Sequence, residues 1–231
     1  MVWRPIIWPK FWDPGDIWLG IFWPFSRRSW PNSSRAGSLP GKKTWASSSC
    51  GHEPGDSGYP KGFSPALWQV KSIRHISRSP AQTRSLAAHL GKSLIPGDVV
   101  ALTGELGAGK TEFVKGLAGG LGVPEEEVAS PSFAIAHEYG GRLPLVHLDL
   151  YRLPELPPDF LPDLEDYLSG RFVVAVEWAE RLGSLLPEDA VKVHLVVTGP
   201  EEREITLTAQ SKRGEQLLFC LRNNITETGV S

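Results

Sequence analysis

Long apolar runs are missing from this 231-residue chain. The best stretch, residues 17–25 (IWLGIFWPF), is nine residues long and contains Gly20 and Pro24. A membrane-crossing helix needs about 20 apolar residues, so none is expected. Arg27 and Arg28 follow that stretch rather than precede it, which is the wrong order for a secretory signal. Cysteine is scarce: Cys50 and Cys220 lie far apart with no partner motif. That spacing argues against a disulfide framework or a zinc site, and it reads as two free thiols in a reducing compartment, hence a cytoplasmic protein. Strong net charge is lacking as well. A formal charge of −2 and a pI near 6.3 exclude a surface that grips nucleic acid all over.

The average hides an asymmetry. Residues 1–68 hold eight Lys/Arg against four Asp/Glu, whereas residues 69–231 hold sixteen against twenty-two and are acidic at −6. Eight of the nine tryptophans and nine of the twenty prolines lie in residues 1–68, where Pro, Gly and Ser make up twenty-seven positions. Prolines at 5, 9, 14 and 24 break any helix, and no alternation lasts long enough for a strand. The composition predicts a disordered extension. One reading makes it a Trp-rich arm for a membrane surface or a partner. The favoured one is an unstructured leader, such as upstream sequence read from an early start codon, dispensable for the chemistry below: tryptophans interrupted by prolines present no common face.

What is present begins at residue 97. Residues 99–102 (VVAL) read as a short buried strand, and after Thr111 the apolar residues Phe113, Val114, Leu117, Ala118 and Leu121 recur at helical steps. Between them stand Gly104, four residues, then Gly109-Lys110-Thr111, the P-loop spacing G-x-x-x-x-G-K-[ST]. Gly104, Gly107 and Gly109 permit backbone angles that let successive N–H groups turn inward around a phosphate. The helix starting near Lys110 adds unpaired N–H groups and the positive end of its dipole. Lys110 would reach the β- and γ-phosphates, and the Thr111 hydroxyl would take one Mg²⁺ position. The alternative, a glycine-rich turn with a surface lysine, is much the weaker. The guanine reader Asn-Lys-x-Asp is absent, because asparagine occurs only at 32, 223 and 224.

Around this unit the sequence predicts an α/β fold of the P-loop NTPase type, with a central mixed parallel and antiparallel sheet flanked by helices. Residues 69–210 form the ATPase domain, and residues 211–231 a C-terminal strand and tail. Residues 69–76 read as a weak edge strand, and Ser79-Pro80 opens a helix with Leu86, Leu90 and Leu94 as its stripe. Residues 134–139 and 144–150 flank Gly140-Gly141 as a hairpin, which requires antiparallel pairing. A short helix is expected over 161–168. Residues 172–176 (FVVAV) mark a central buried strand. Further strands are expected at 191–197 and 204–209, and another at 217–221.

A P-loop enzyme needs a second Mg²⁺ anchor and a group that positions water or an acceptor. Acidic residues at the C-terminal ends of apolar strands are the natural candidates. Glu177 directly follows FVVAV, and Asp149 sits in VHLDLYR. Either could instead cap a helix or pair with a lysine. Ser130 and Ser132 lie on a proline-stiffened loop that could sense a γ-phosphate. His147 could be a base, although a strand histidine is more often packed. Arg152 could contact phosphate or RNA, or face solvent.

Four segments occur together: GELGAGKTEFVKGLAGGLG, SPSF, EYGGRLPLVHLDLYRL, and VVAVEWAERL with LPED after it. In this order and spacing they resemble the bacterial TsaE (formerly YjeE) family, over about residues 70 to 210. That family is the small ATPase of tRNA threonylcarbamoyladenosine biosynthesis. The resemblance implies a compact domain binding ATP and Mg²⁺ and active mainly within a complex. The implied partners are TsaD and TsaB, which install threonylcarbamoyl beside the anticodon of tRNAs reading A-starting codons. It implies that Gly107, Ala108, Gly109, Lys110 and Thr111 hold the phosphates, and that Thr111 and Glu177 hold Mg²⁺. Asp149 matches the acidic residue needed for hydrolysis, and Trp178 the tryptophan after the metal-binding glutamate. The helix start from Ser79 to Thr83 would lie by the nucleotide base.

Two positions depart from the family pattern. Ser132 stands where threonine is usual; it keeps the hydroxyl and loses a methyl that restricts the rotamer, so function is expected to persist. Glu112 stands where a hydroxyl residue is usual, beside Thr111, and could weaken phosphate binding. The chain is too short and acidic to grip tRNA alone, so tRNA is reached through the complex. Competing readings are a small-molecule kinase, for which no arginine-rich lid is evident, and a nucleotide-binding scaffold subunit without hydrolysis.

Overall fold

The computed structural model describes residues 70–132 and 134–228. The tryptophan-rich stretch 1–68, Cys50, Gln69 and Phe133 of the SPSF motif lie outside the described residues. Seven strands form one sheet: β1 (Ser72–Ser77), β2 (Val99–Thr103), β3 (Ala136–Gly140), β4 (Pro144–Asp149), β5 (Val173–Glu177), β6 (Val191–Val197) and β7 (Arg203–Thr208), in the order β1-β7-β6-β2-β5-β4-β3. The four central strands β6, β2, β5 and β4 are parallel. The outer pairs β1–β7, β7–β6 and β4–β3 are antiparallel. The mixed sheet is the one expected, including the hairpin. Among the described residues no helix is long and apolar enough to cross a membrane.

Strand alternation builds a core on each face. Val100 and Leu102 of β2 enter one core together with Leu86 and Leu90 of α1 (Pro80–Gly91), Phe113 and Leu117 of α2 (Lys110–Gly120), and Leu218 and Leu221 of α4 (Lys212–Thr228). Val99 and Ala101 enter the other, with Leu164 and Tyr167 of α3 (Leu161–Tyr167) and Leu182 of the 3₁₀ segment Ala179–Leu185. Helix α1 starts as the sequence predicts. Ser79 is extended at φ −163°, its hydroxyl accepts from the Gln82 N–H at 3.2 Å, and Pro80 takes the first helical position.

Helices α1 and α2 touch through glycine. A Cβ on Gly116 would lie 2.2 Å from the Arg84 carbonyl oxygen and 2.7 Å from its Cα. These are backbone atoms in a neighbouring helix and cannot swing aside. Gly116→Ala gains helix propensity of about 1 kcal/mol yet must separate the two helices. Overpacking of roughly 1–3 kcal/mol is expected to win, read as a lower urea midpoint with an unchanged denaturant slope.

The strand expected at residues 217–221 is instead the middle of α4. Gly214, Leu217, Leu218 and Leu221 are buried, which is one helical face. Arg213 fixes the start of this helix: its guanidinium donates to both Asp98 carboxylate oxygens, at 2.9 and 2.7 Å, and to the Ser93 carbonyl at 2.9 Å. A bidentate pair of this kind is geometrically specific. Cys220 also lies on the buried side of this helix, at 4% exposure.

Candidate active site

The P-loop joins β2 to α2 at the C-terminal edge of the parallel strands. Gly104 has φ +138°, and a Cβ there would lie 2.3 Å from the Leu195 carbonyl oxygen of β6. The first glycine of the motif is therefore required twice, by its angle and by the strand beside it. The Ala108 N–H closes a turn onto the Glu105 carbonyl at 3.2 Å. Gly109, left-handed at φ +99°, precedes α2 without a side-chain cap. The first-turn N–H groups of α2 thus have no competing side-chain acceptor at that cap, an arrangement suited to an anion.

Lys110 lies 4% exposed, and its Nζ donates to the carbonyls of Gly104 at 2.7 Å and Glu105 at 2.8 Å. The same ammonium sits 3.9 Å from the centroid of the Trp178 ring. Burial pushes the Lys110 pKa down, against the pull of the carboxylates of Glu177, Glu180, Asp149 and Glu105. Trp178 follows β5 in the left-handed region at φ +59°, a conformation uncommon outside glycine. Its ring packs on Tyr151 with centroids 5.0 Å apart.

The two strand-end carboxylates are register partners across β4 and β5, Asp149 opposite Glu177. Both are nearly buried, at 4% and 3% exposure. Thr111, in the first turn of α2, donates its hydroxyl to Glu177 Oε1 at 2.8 Å. Asp149 accepts from both Ser130 and Ser132 on Oδ2, and from the Tyr151 N–H on Oδ1 at 3.0 Å. Burial pushes the Asp149 carboxyl up, but these hydrogen bonds outweigh it and hold the pKa below the ordinary value. It is an ionised acceptor at neutral pH. His147, fully buried on β4, lies with Nε2 2.9 Å from Glu177 Oε1.

The structure therefore brings together Gly104, Gly107, Ala108, Gly109, Lys110, Thr111, Ser132, Asp149, Glu177 and Trp178. Thr83 is not among them. It is 2% exposed, and its hydroxyl is 2.8 Å from the Ser77 hydroxyl at the junction of β1 and α1. Glu112 is occupied elsewhere: its carboxylate takes Arg84 of α1 and, at 2.7 Å, Lys115. Although burial raises its pKa, those bonds lower it further, so its charge is answered within the α1–α2 contact. Sequence reasoning named His147 as a possible base but missed its pairing with Glu177, and it missed the Arg203 guanidinium, which donates to the Gly107 carbonyl at 3.4 Å. Both links join residues far apart in the chain. Only the position of His147, two before Asp149 and hence on the same strand face, was a usable signal.

Among known proteins, the family described as Threonylcarbamoyl adenosine biosynthesis protein TsaE matches residues 77–205. The tRNA threonylcarbamoyladenosine biosynthesis protein TsaE of Bacillus subtilis is 40% identical over 149 residues, covering 64% of this chain and 92% of the relative. The protein of the same name from Treponema pallidum is 44% identical over 135 residues, covering 58% and 99%. The crystal structure of Bacillus subtilis YdiB superposes with a TM-score of 0.56 at 36% identity, over 67% of this chain and 96% of that one. The P-loop NTPase fold and the matched length agree, and the chain belongs to the TsaE family of tRNA threonylcarbamoyladenosine biosynthesis proteins.

Proposed function

We propose that this chain is the Mg²⁺-dependent ATP-binding and ATP-hydrolysing subunit of the assembly that forms N6-threonylcarbamoyladenosine beside the anticodon of tRNAs reading A-starting codons. Its partners are TsaD and TsaB, and it works in the cytoplasm. The observation that carries the reading is the meeting of a P-loop with two strand-end carboxylates, Thr111 2.8 Å from Glu177 and Asp149 opposite Glu177 in the sheet. The catalytic unit is the domain of residues 69–210, steadied by α4 after it, and the extension 1–68 is dispensable.

The donor set fits the metal. A hydroxyl and a carboxylate are hard oxygen ligands, and Mg²⁺ is commonly held by one or two such groups together with substrate phosphates. Thr111 and Glu177 would hold it, and when bound it supplies charge neutralisation at the β- and γ-phosphate oxygens. The N–H groups of Gly107, Ala108, Gly109, Lys110 and Thr111 cradle the phosphates, and the Lys110 ammonium leaves its two carbonyl acceptors for phosphate oxygens. Asp149, ionised and fixed by three donors, orients the attacking water by accepting its proton in a hydrogen bond. Ser132, tied to the same carboxylate oxygen, couples the loop to the γ-phosphate. Trp178 lines the nucleotide beside Lys110. With net charge −6 over residues 69–231, tRNA is met through the partners.

The test is functional replacement. Bacteria depleted of their own TsaE, supplied with this chain, are expected to regain N6-threonylcarbamoyladenosine in bulk tRNA, measured by mass spectrometry of nucleosides. The Lys110→Ala chain at equal abundance is expected to restore none. Equal restoration by both chains would contradict an ATP-dependent role.

A further inference from the structure

The β4 strand carries an imidazole where its neighbours are aliphatic. Leu145, Val146, Leu148 and His147 itself are all 0% exposed. His147 Nε2 lies 2.9 Å from Glu177 Oε1, while its Nδ1 has no hydrogen-bond partner among the described residues. A carboxylate only accepts, so Nε2 carries the proton and donates it. An orphaned buried nitrogen weighs against folding, and a leucine at this position would avoid it. The one polar bond that His147 makes at Nε2 runs to Glu177.

That bond has a defined place in the site. Glu177 Oε1 receives His147 from β4 and Thr111 from α2, the latter at 2.8 Å. The register of β4 on β5 puts His147 opposite Ala175, one pleat below the Asp149–Glu177 pair and on their side of the sheet. A glutamate at a strand end has three side-chain torsions to settle. The rigid ring, seated in the sheet, removes that freedom from one carboxylate oxygen. Outer hydrogen bonds of this type orient metal-binding carboxylates and, when removed, weaken metal affinity about 10–100-fold.

We propose that His147 is a positioning residue for Mg²⁺: its Nε2–H fixes the Glu177 carboxylate so that Glu177 and Thr111 meet the cation together. The inference rests on the reading of Thr111 and Glu177 as the Mg²⁺ site. Its role is in metal affinity and not in proton transfer.

The test uses the full chain and a fluorescent N-methylanthraniloyl ATP, with binding titrated against Mg²⁺ and melting temperature recorded for each variant. His147→Leu is expected to raise the Mg²⁺ concentration for half-maximal effect by at least about tenfold, while affinity for the nucleotide in EDTA stays within about twofold. His147→Gln, whose amide nitrogen can replace Nε2, is expected to recover most of the loss. His147→Asn, which is shorter, is expected to recover little. A wild-type Mg²⁺ response in His147→Leu would overturn the proposal. If the leucine variant fails to fold, equal responses from the Gln and Asn variants would overturn it instead. Should the unsubstituted chain itself show no Mg²⁺ response, the assignment of the metal site fails and this inference with it. A response in the unsubstituted chain that His147→Leu preserves removes only the role of His147.

Discussion

Lys110→Ala is expected to remove ATP binding, lowering affinity at least about a hundredfold. Two charge-assisted hydrogen bonds to phosphate, each worth roughly 1.5–3 kcal/mol, account for that size. The free protein already holds the ammonium at the P-loop mouth, between the carbonyls of Gly104 and Glu105 and the face of Trp178. Little side-chain ordering is then left for the binding step. The same placement carries a stability consequence. Burial lowers the Lys110 pKa in the folded chain, so between the folded and unfolded values the unfolded chain binds more protons and stability rises with pH. Below the folded pKa the charged Lys110 weighs against the free fold. Lys110→Met, which keeps the volume and drops the charge, is expected to melt no lower than the parent at pH 7 while binding no ATP. Isothermal titration with ATP and a thermal melt check both halves. A Met variant that binds ATP normally would contradict the phosphate role of Lys110.

Glu177→Ala and Asp149→Ala are expected to leave nucleotide binding largely intact and to cut Mg²⁺-dependent hydrolysis about a hundredfold or more. The two losses differ in kind. Removing Glu177 strips the partner of Thr111 and of His147, so its effect should ease as Mg²⁺ is raised. Removing Asp149 releases the hydroxyls of Ser130 and Ser132 together with the Tyr151 N–H. Its effect should persist at saturating Mg²⁺, because positioning of water and not of metal has been lost. Steady-state hydrolysis with TsaD and TsaB present, over a range of Mg²⁺, separates the two. Near-normal rates in both variants would overturn the carboxylate assignment.

The contrast between what was legible in the chain and what was not follows the range of the interaction. The P-loop is local: glycine angles, a lysine and a threonine within eight residues specify it, and the structure has β2 before it and α2 after it. The central strands were legible because strands buried on both faces read as unbroken apolar runs, as in residues 172–176. The run 217–221 reads the same way and is helical. Periodicity alone does not separate a buried strand from a short stretch of helix. Only the wider spacing from Gly214 to Leu221, and the Arg213–Asp98 pair across 115 residues, decides it. The link between His147 and Glu177 was hidden for a related reason. It depends on parallel register between β4 and β5, and nothing within either strand encodes that. The left-handed turn at Trp178 was equally unreadable, because no glycine announced it.

ATP hydrolysis by the full chain, measured alone and then with TsaD and TsaB added, tests the central claim most directly. The account predicts a low rate alone that rises sharply with the pair and falls away when Mg²⁺ is chelated. A rate indifferent to the pair, or one that responds instead to a small acceptor molecule, would contradict it and favour a kinase on the same scaffold.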